Sequence, residues 1–335
     1  MRIIFLTTGD ERVGSTRYRA LQWIPLLEKR GWSVDWIFAR HIRARKFLAI
    51  VKKVRKADVV FIQKKLFTKL FLRFIRMLNK RIIYDFDDAL YTNTSFSEKV
   101  SALGPGSRKT KRRLKYALKS ASTVIAGSAH LAKYASAFNT NVNLVPTTIL
   151  NSDYREILRR EQEKIAIGWV GIADNHFYLK KMSKTLKTIS DKYAEVTIRV
   201  ISDKKLEIEG IKIDNVKWHI EKYRDHISSF QIGIMPLIDD EWSRGKCAFK
   251  LIQYMGAGLP VVASNVGANP SVVTDGVDGF LVSSHDEWVD RLGRLIESRS
   301  LRLQMGKAAR KKIRDEFSVE SWAERFESIL LAEVL

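Results

Sequence analysis

The strongest constraint in this 335-residue sequence is an alternation that runs through it twice. Short, β-branched apolar runs at 3–6, 34–38, 59–62, 82–84, 123–125 and 143–145 are separated by helical patterns such as 15–30, 67–79 and 109–120. Parallel strands cannot be joined by a tight hairpin. Strands alternating with helices of 10–15 residues therefore predict a parallel sheet with right-handed crossovers. After Val145-Pro146-Thr147 the chain crosses a polar, charge-rich stretch, 151–164, and the pattern restarts with runs at 165–170, 196–201, 216–219, 232–235 and 260–263. Helical patterns at 286–298, 301–317 and 318–331 follow, and Ser318 suits the N-cap that separates the last two. The fold class expected is α/β: two doubly wound units, 1–155 and 156–317, and a terminal helix, 318–335. Ligands of such sheets bind at the carboxyl ends of the strands, so a cleft between the two units is the expected site.

Charge divides the chain differently. Of the net +22, residues 1–150 carry 30 Lys and Arg against 9 Asp and Glu, while residues 151–335 carry 29 against 28. Between Arg40 and Lys80 there are 14 basic residues and one acid, Asp58. One cationic and one neutral half imply different partners for each. The single cysteine, Cys247, excludes an internal disulfide framework and fits a reducing cytoplasm. The apolar run in MRIIFLTTGD is too short for a signal peptide, and no stretch approaches the ~20 apolar residues of a membrane-spanning helix. A cytoplasmic location is expected.

The stretch RGKCAFKLIQYMGAGLPVVAS, 244–264, places Lys246, Lys250 and Gln253 at spacings that share a helical face. A helix N-terminus offers unpaired N–H groups and a partial positive charge, and a lysine in its first turn adds a full one. A diphosphate suits that combination, with Gln253 two turns deeper for a hydroxyl. The alternative is that both lysines are solvated on an exposed face, and spacing alone does not decide.

Residues 230–264, FQIGIMPLIDDEWSRGKCAFKLIQYMGAGLPVVAS, with NVGANPSVVTDGVDGFLV after them, resemble the donor-site signature of family-4 (group 1) glycosyltransferases. Looser similarity extends to YDFDDALY (84–91), GSAHLAKYA (127–135), VPT (145–147) and MGKAARKKIRDEFSVESWAERFESIL (305–330). The resemblance implies a GT-B fold: two Rossmann-like domains, nucleotide sugar in the second, acceptor against the first, and a last helix that crosses back. It also implies retention of anomeric configuration without a metal or other cofactor, because helix ends and basic side chains neutralise the leaving diphosphate. On this basis Lys246 and Arg244 are the expected catalytic cations. Glu241, Gly245, Lys250, Leu251, Gln253, Tyr254, Asn269, Gly171 and Gly14 are the expected donor contacts. No metal site is expected.

The match has departures. The family's Glu–(seven residues)–Glu pair would fall on Gly245 and Gln253, and neither is acidic. An amide can keep a ribose contact, but Gly245 has no carboxylate to offer; Asp239, Asp240 or Glu241 stands nearest. The basic pair after the first donor-domain strand would have to be Lys180 or Lys181, and Ser271 stands where the loop 267–273 normally carries an acid.

In the first half, TTGDERVGSTRYRA follows a strand and opens a helix. Gly9 and Gly14 allow a close backbone turn, and Arg17 and Arg19 could hold an acidic acceptor group. YDFDDALY crowds Asp85, Asp87 and Asp88 at a strand end, where repelling carboxylates suit acid–base work. Asp87 and Asp88 are the candidates, with structural capping as the alternative for each. His130 stands after another strand, on the acceptor side or merely at a helix start. Finally, LFTKLFLRFIRMLNK, 66–80, interleaves apolar residues with Lys69, Arg73, Arg76 and Lys80. Most of its apolar residues would face the sheet, while the cations could rest on anionic lipid. The function expected is sugar transfer from a nucleotide-diphosphate sugar to a glycan or lipid-linked acceptor in cell-surface polysaccharide or lipopolysaccharide synthesis. A non-catalytic nucleotide-sugar-binding homologue and a nucleic-acid-binding protein are the rivals. The basic residues lack an aromatic stacking set, which counts against the last.

Overall fold

The structure, a computed structural model, describes residues 1–97, 101–154 and 164–334. Two compact units divide the chain: Met1–Thr148 with Arg244–Cys247 and Val319–Leu335, and Ile149–Ser243 with Ala248–Ser318. The division near Thr148 precedes the boundary expected at 155/156, which lies outside the described residues. The return of Arg244–Cys247 to the first unit has no counterpart in the apolar pattern of the sequence.

The first unit is a parallel sheet of six strands: β1 (Arg2–Thr7), β2 (Ser33–Phe38), β3 (Val59–Gln63), β4 (Ile82–Phe86), β5 (Thr123–Ala126) and β6 (Val142–Leu144). Their order is β2-β1-β3-β4-β5-β6. β3, β4 and β5 are buried throughout, as strands covered on both faces must be. The edge strands β2 and β6 are only part-buried and carry polar residues. The connecting helices are α1 (Gly14–Arg19), α2 (Ile24–Lys29), α3 (Ala44–Lys56), α4 (Lys69–Leu78), α5 (Arg108–Ser120) and α6 (Ala129–Ser136). The single helix expected over 15–30 is broken into α1, a 3-10 turn at Leu21–Trp23 and α2. Pro25 stands at the start of α2, where its missing N–H is harmless but where a continuous helix would have lost a hydrogen bond.

The second unit repeats the design with β7 (Ile165–Val170), β8 (Val196–Ser202), β9 (Ile213–Lys217), β10 (Ile232–Met235), β11 (Val261–Ser264) and β12 (Gly279–Val282), in the order β12-β11-β10-β7-β8-β9. Its helices are α7 (His176–Lys181), α8 (Ser183–Lys192), α9 (Tyr223–Ser228), α10 (Glu241–Arg244), α11 (Phe249–Gly256), α12 (Asn269–Val272), α13 (His285–Glu297) and α14 (Arg299–Glu316). The core gathers Trp169 and Ile167 from β7, Ile234 from β10, Leu186 from α8 and Leu292 from α13.

The last helix, α15 (Val319–Leu331), belongs to the first unit. There Phe326 stacks on Trp23 at 4.1 Å between centroids and packs against Phe61 of β3. Glu327 accepts from Arg30 at 2.5 Å and from the Trp32 indole at 2.9 Å. Among the described residues no helix is long and apolar enough to cross a membrane.

Candidate functional site

In the first unit the strand order reverses between β1 and β3, and side chains just beyond the carboxyl ends of such strands are placed to meet ligands. Lys64 follows the last residue of β3, Asp87 follows β4 and Gly127 follows β5, so three adjacent strands present these residues side by side. Lys64 adopts the left-handed region, φ 56°, which a lysine enters only when its surroundings hold it there. Its N–H donates to the Asp85 carbonyl at 2.6 Å. Its ammonium lies 2.9 Å from Asp87 and pairs also with Asp88. Burial alone would lower the amine's pKa, but Asp87 and then Asp88 outweigh it and hold Lys64 charged. Lys64 is not among the expected site residues. Its only signal in the sequence is a Lys-Lys pair one residue after the apolar run 59–62.

The segment Arg244–Cys247 belongs to this unit. Cys247 donates its S–H to the Asp87 carbonyl at 3.2 Å, and its sulfur would stand 2.6 Å from a Cβ at Gly127. A Cβ at Gly245 would run into the Ala89 methyl, so the close approach requires glycine. That is a packing reason for the acid missing at 245. Lys246 is half-buried. Loss of water lowers its amine's pKa, Asp88 opposes the shift and the charge of Lys64 adds to it. Gly-Lys does not open a helix, as spacing suggests it would. Ala248 takes φ 51°, breaking the chain, and α11 starts only at Phe249. Lys246 therefore precedes the helix, and Lys250 occupies its first turn.

Arg19 does not face an acceptor. It is 3% exposed, pairs with the buried Asp85 through Nε at 3.1 Å and through Nη2, and donates from Nη1 to the Val145 carbonyl at 2.7 Å. Burial pushes the Asp85 carboxyl up to about 6, with Arg19 opposing. This pair ties the end of β4 to α1 and leaves Asp87 and Asp88 as the acids not bound to Arg19. Arg17 donates to the Glu11 carbonyl at 2.7 Å and lies over the Tyr18 ring. Gly14 opens α1 with nothing within 4 Å of where a Cβ would stand, whereas Gly9 is pinned against Val13. His130 is half-buried in the first turn of α6, where Ser128 is the N-cap.

In the second unit the strand order reverses between β7 and β10, and Gly171 follows β7 there. A Cβ at Gly171 would stand 3.2 Å from Cε of Lys250, whose ammonium lies 5.4 Å over the Trp169 ring. The structure thus brings Gly171 and Lys250 together at a strand end and a helix N-terminus. Leu251 and Tyr254 are fully buried, and the Val170 N–H donates to the Tyr254 hydroxyl at 2.8 Å. Their part is to seat α11 on β7. Gln253 is 4% exposed and donates to the Tyr154 hydroxyl at 3.0 Å, a partner invisible in the sequence. Asn269 is 1% exposed. Its Nδ2 donates to the Ser264 carbonyl at 2.9 Å, and its buried Oδ1 lacks a hydrogen bond among the described residues. Glu241 is exposed at the start of α10, which Asp240 caps by accepting the Ser243 N–H at 2.7 Å. Lys180 and Lys181 are exposed on α7, and the Ser271 hydroxyl donates to the Ala268 carbonyl.

Residues 165–298 match the family model described as Glycosyl transferases group 1. Over 80 residues, 23% of this chain and 18% of the relative, it is 39% identical to the D-inositol 3-phosphate glycosyltransferase of Corynebacterium diphtheriae. Over 78 residues, 22% and 21%, it is 31% identical to spore coat protein SA of Bacillus subtilis. These matches span about a fifth of the curated relatives. Anabaena HepE in complex with UDP and glucose superposes with a TM-score of 0.71 at 15% identity, covering 99% of this chain and 100% of that one. Sucrose-phosphate synthase from Thermosynechococcus elongatus gives 0.70 at 14% identity and 99% of both chains. The chain has the GT-B fold.

Proposed function

Taking residues 165–298 as a group 1 glycosyltransferase region within a GT-B chain, we propose that this protein transfers a sugar from a nucleotide-diphosphate donor to a hydroxyl of a glycan or lipid-linked acceptor. Lys246 carries the reading. A half-buried amine held below its ordinary basicity gains more than a solvated one when a diphosphate arrives, because the dianion restores the charge that burial disfavours. Arg244 assists it. In the second unit, Lys250 in the first turn of α11 and the N–H groups there suit phosphate. Asn269, with a buried oxygen still to be satisfied, suits a sugar hydroxyl, and Gln253 would exchange the Tyr154 hydroxyl for a ribose. Asp87 and Asp88, both paired with Lys64, would receive the acceptor hydroxyl. HepE, which shares the fold, forms a complex with UDP and glucose, and this supports a nucleotide sugar here.

The finer reading is a retaining, metal-independent reaction in cell-surface polysaccharide or lipopolysaccharide synthesis, carried out on the cytoplasmic side of a membrane. Charge neutralisation by Lys246 and Arg244 in place of a metal ion supports metal independence. The test is release of nucleoside diphosphate from a panel of UDP- and GDP-sugars with and without a chelator. Turnover unchanged by chelation is expected, and turnover lost with it would reject the cationic mechanism. A non-catalytic sugar-binding homologue is favoured by one observation, the missing acid at Gly245. Donor binding with no diphosphate release from any donor would establish that reading instead.

A further inference from the structure

Helices α3, α4 and α5 adjoin one another on the first unit. Phe47 of α3 stacks on Phe74 of α4 at 5.6 Å, and Lys69 of α4 lies over the Tyr116 ring of α5 at 5.5 Å. Together the three helices carry sixteen Lys and Arg and no Asp or Glu. Among the described residues few of those charges are neutralised within the unit; Lys53, paired with Asp35, is an exception. On α4, Leu72 and Ile75 point inward, and the opposite stripe is Leu70, Arg73 and Met77, at spacings of three and four. Leu70 is 80% exposed and Met77 76%. On α3 the inward pair is Ile50 and Val54, and Leu48, 65% exposed, lies on the outer stripe with Lys52 and Arg55. The outward face of α5 is all cation, from Arg108 to Lys119.

We propose that this helix face docks on an anionic phospholipid bilayer, with Leu48, Leu70 and Met77 entering the acyl boundary while the surrounding lysines and arginines meet the headgroups. Charge complementarity selects an anionic surface, and the apolar side chains select lipid among anionic surfaces. A single-stranded nucleic acid would be met by stacking aromatics, but Phe71 and Phe74 are packed against Phe47; duplex DNA is the rival that the experiment below separates. Leu and Met projecting from a cationic face fit the interface of a membrane. Each Lys or Arg near such a surface is worth about a fivefold gain in partitioning. The inference deepens the reading of a lipid-linked acceptor, but it does not depend on sugar transfer, because binding is measured without donor.

The experiment is sedimentation of the full chain with phosphatidylcholine vesicles, with and without about 30% phosphatidylglycerol, at low and high salt. Binding to the anionic vesicles, weakened by salt, is expected. Lys69→Ala/Arg73→Ala/Arg76→Ala should lower it about a hundredfold. Leu70→Ser/Met77→Ser, which keeps every charge, should lower vesicle binding while leaving any retention on duplex DNA unchanged. All of these alanine and serine sites are exposed, so far-UV circular dichroism should match the parent. Absence of vesicle binding, equal binding by the Leu70→Ser/Met77→Ser variant, or salt-sensitive DNA binding without vesicle binding would each overturn the proposal. Diphosphate release by these variants reports separately on the catalytic reading.

Discussion

The Lys64 ammonium stands 2.9 Å from the Asp87 carboxylate and pairs at the same time with Asp88, so one half-buried cation holds together the two acids that follow β4. Removing it would take away the cation paired with both carboxylates and leave the Lys246 amine as a more distant charge near them. Lys64→Ala should cost about 3 kcal/mol of stability. Lys64→Gly should be about 1 kcal/mol more stable than Lys64→Ala, since glycine accepts φ 56° without strain. Urea unfolding of both variants checks the order, and equal stabilities would show that the backbone there is unstrained.

Gly245 is held to glycine by Ala89. Gly245→Ala should destabilise the chain by about 1–3 kcal/mol through overpacking, and Ala89→Gly in the same chain should recover most of that. A double-mutant cycle measures the coupling; additive effects would mean that the two positions do not meet.

Phe326 anchors the last helix against Trp23 with 1% of its surface exposed. Phe326→Ala should cost about 3–5 kcal/mol, as for other buried aromatics, and should change the fluorescence of the first unit. A loss below about 1 kcal/mol would place α15 outside the stable core.

His176 in the second unit is 6% exposed, with Nε2 2.8 Å from the Ser202 hydroxyl. Burial lowers its pKa, with Asp203 opposing. The folded value then lies below the unfolded one of about 6.5, so the unfolded chain binds more protons as the solution is acidified. Stability from this group is complete above about pH 7 and falls as pH drops through about 6.5. His176→Asn should flatten that part of the urea-midpoint profile, and an unchanged slope would remove His176 as its source.

Much of the architecture is legible in the sequence because parallel strands such as β3, β4 and β7 are buried on both faces and read as unbroken apolar runs. The edge strand β9, part-buried with Asp214 and Asn215 in it, begins at Ile213 and not at 216 as the apolar pattern predicts. The site is less legible because its contacts are set by strand order. Arg19 and Asp85 are 66 residues apart and meet beside β4, and Lys64 reaches Asp87 and Asp88 only because β3 lies next to β4. The break at Ala248, which displaces Lys246 from the helix, follows from a single left-handed residue that helical spacing does not reveal.

The proposed chemistry rests on the Lys246 amine meeting the departing diphosphate, and the most direct measurement is diphosphate release by Lys246→Ala with the best donor of the panel. A fall of at least about a hundredfold, with the unfolding midpoint unchanged and partial recovery in Lys246→Arg, is the predicted result. Release at the parent's rate by a folded Lys246→Ala protein would contradict it.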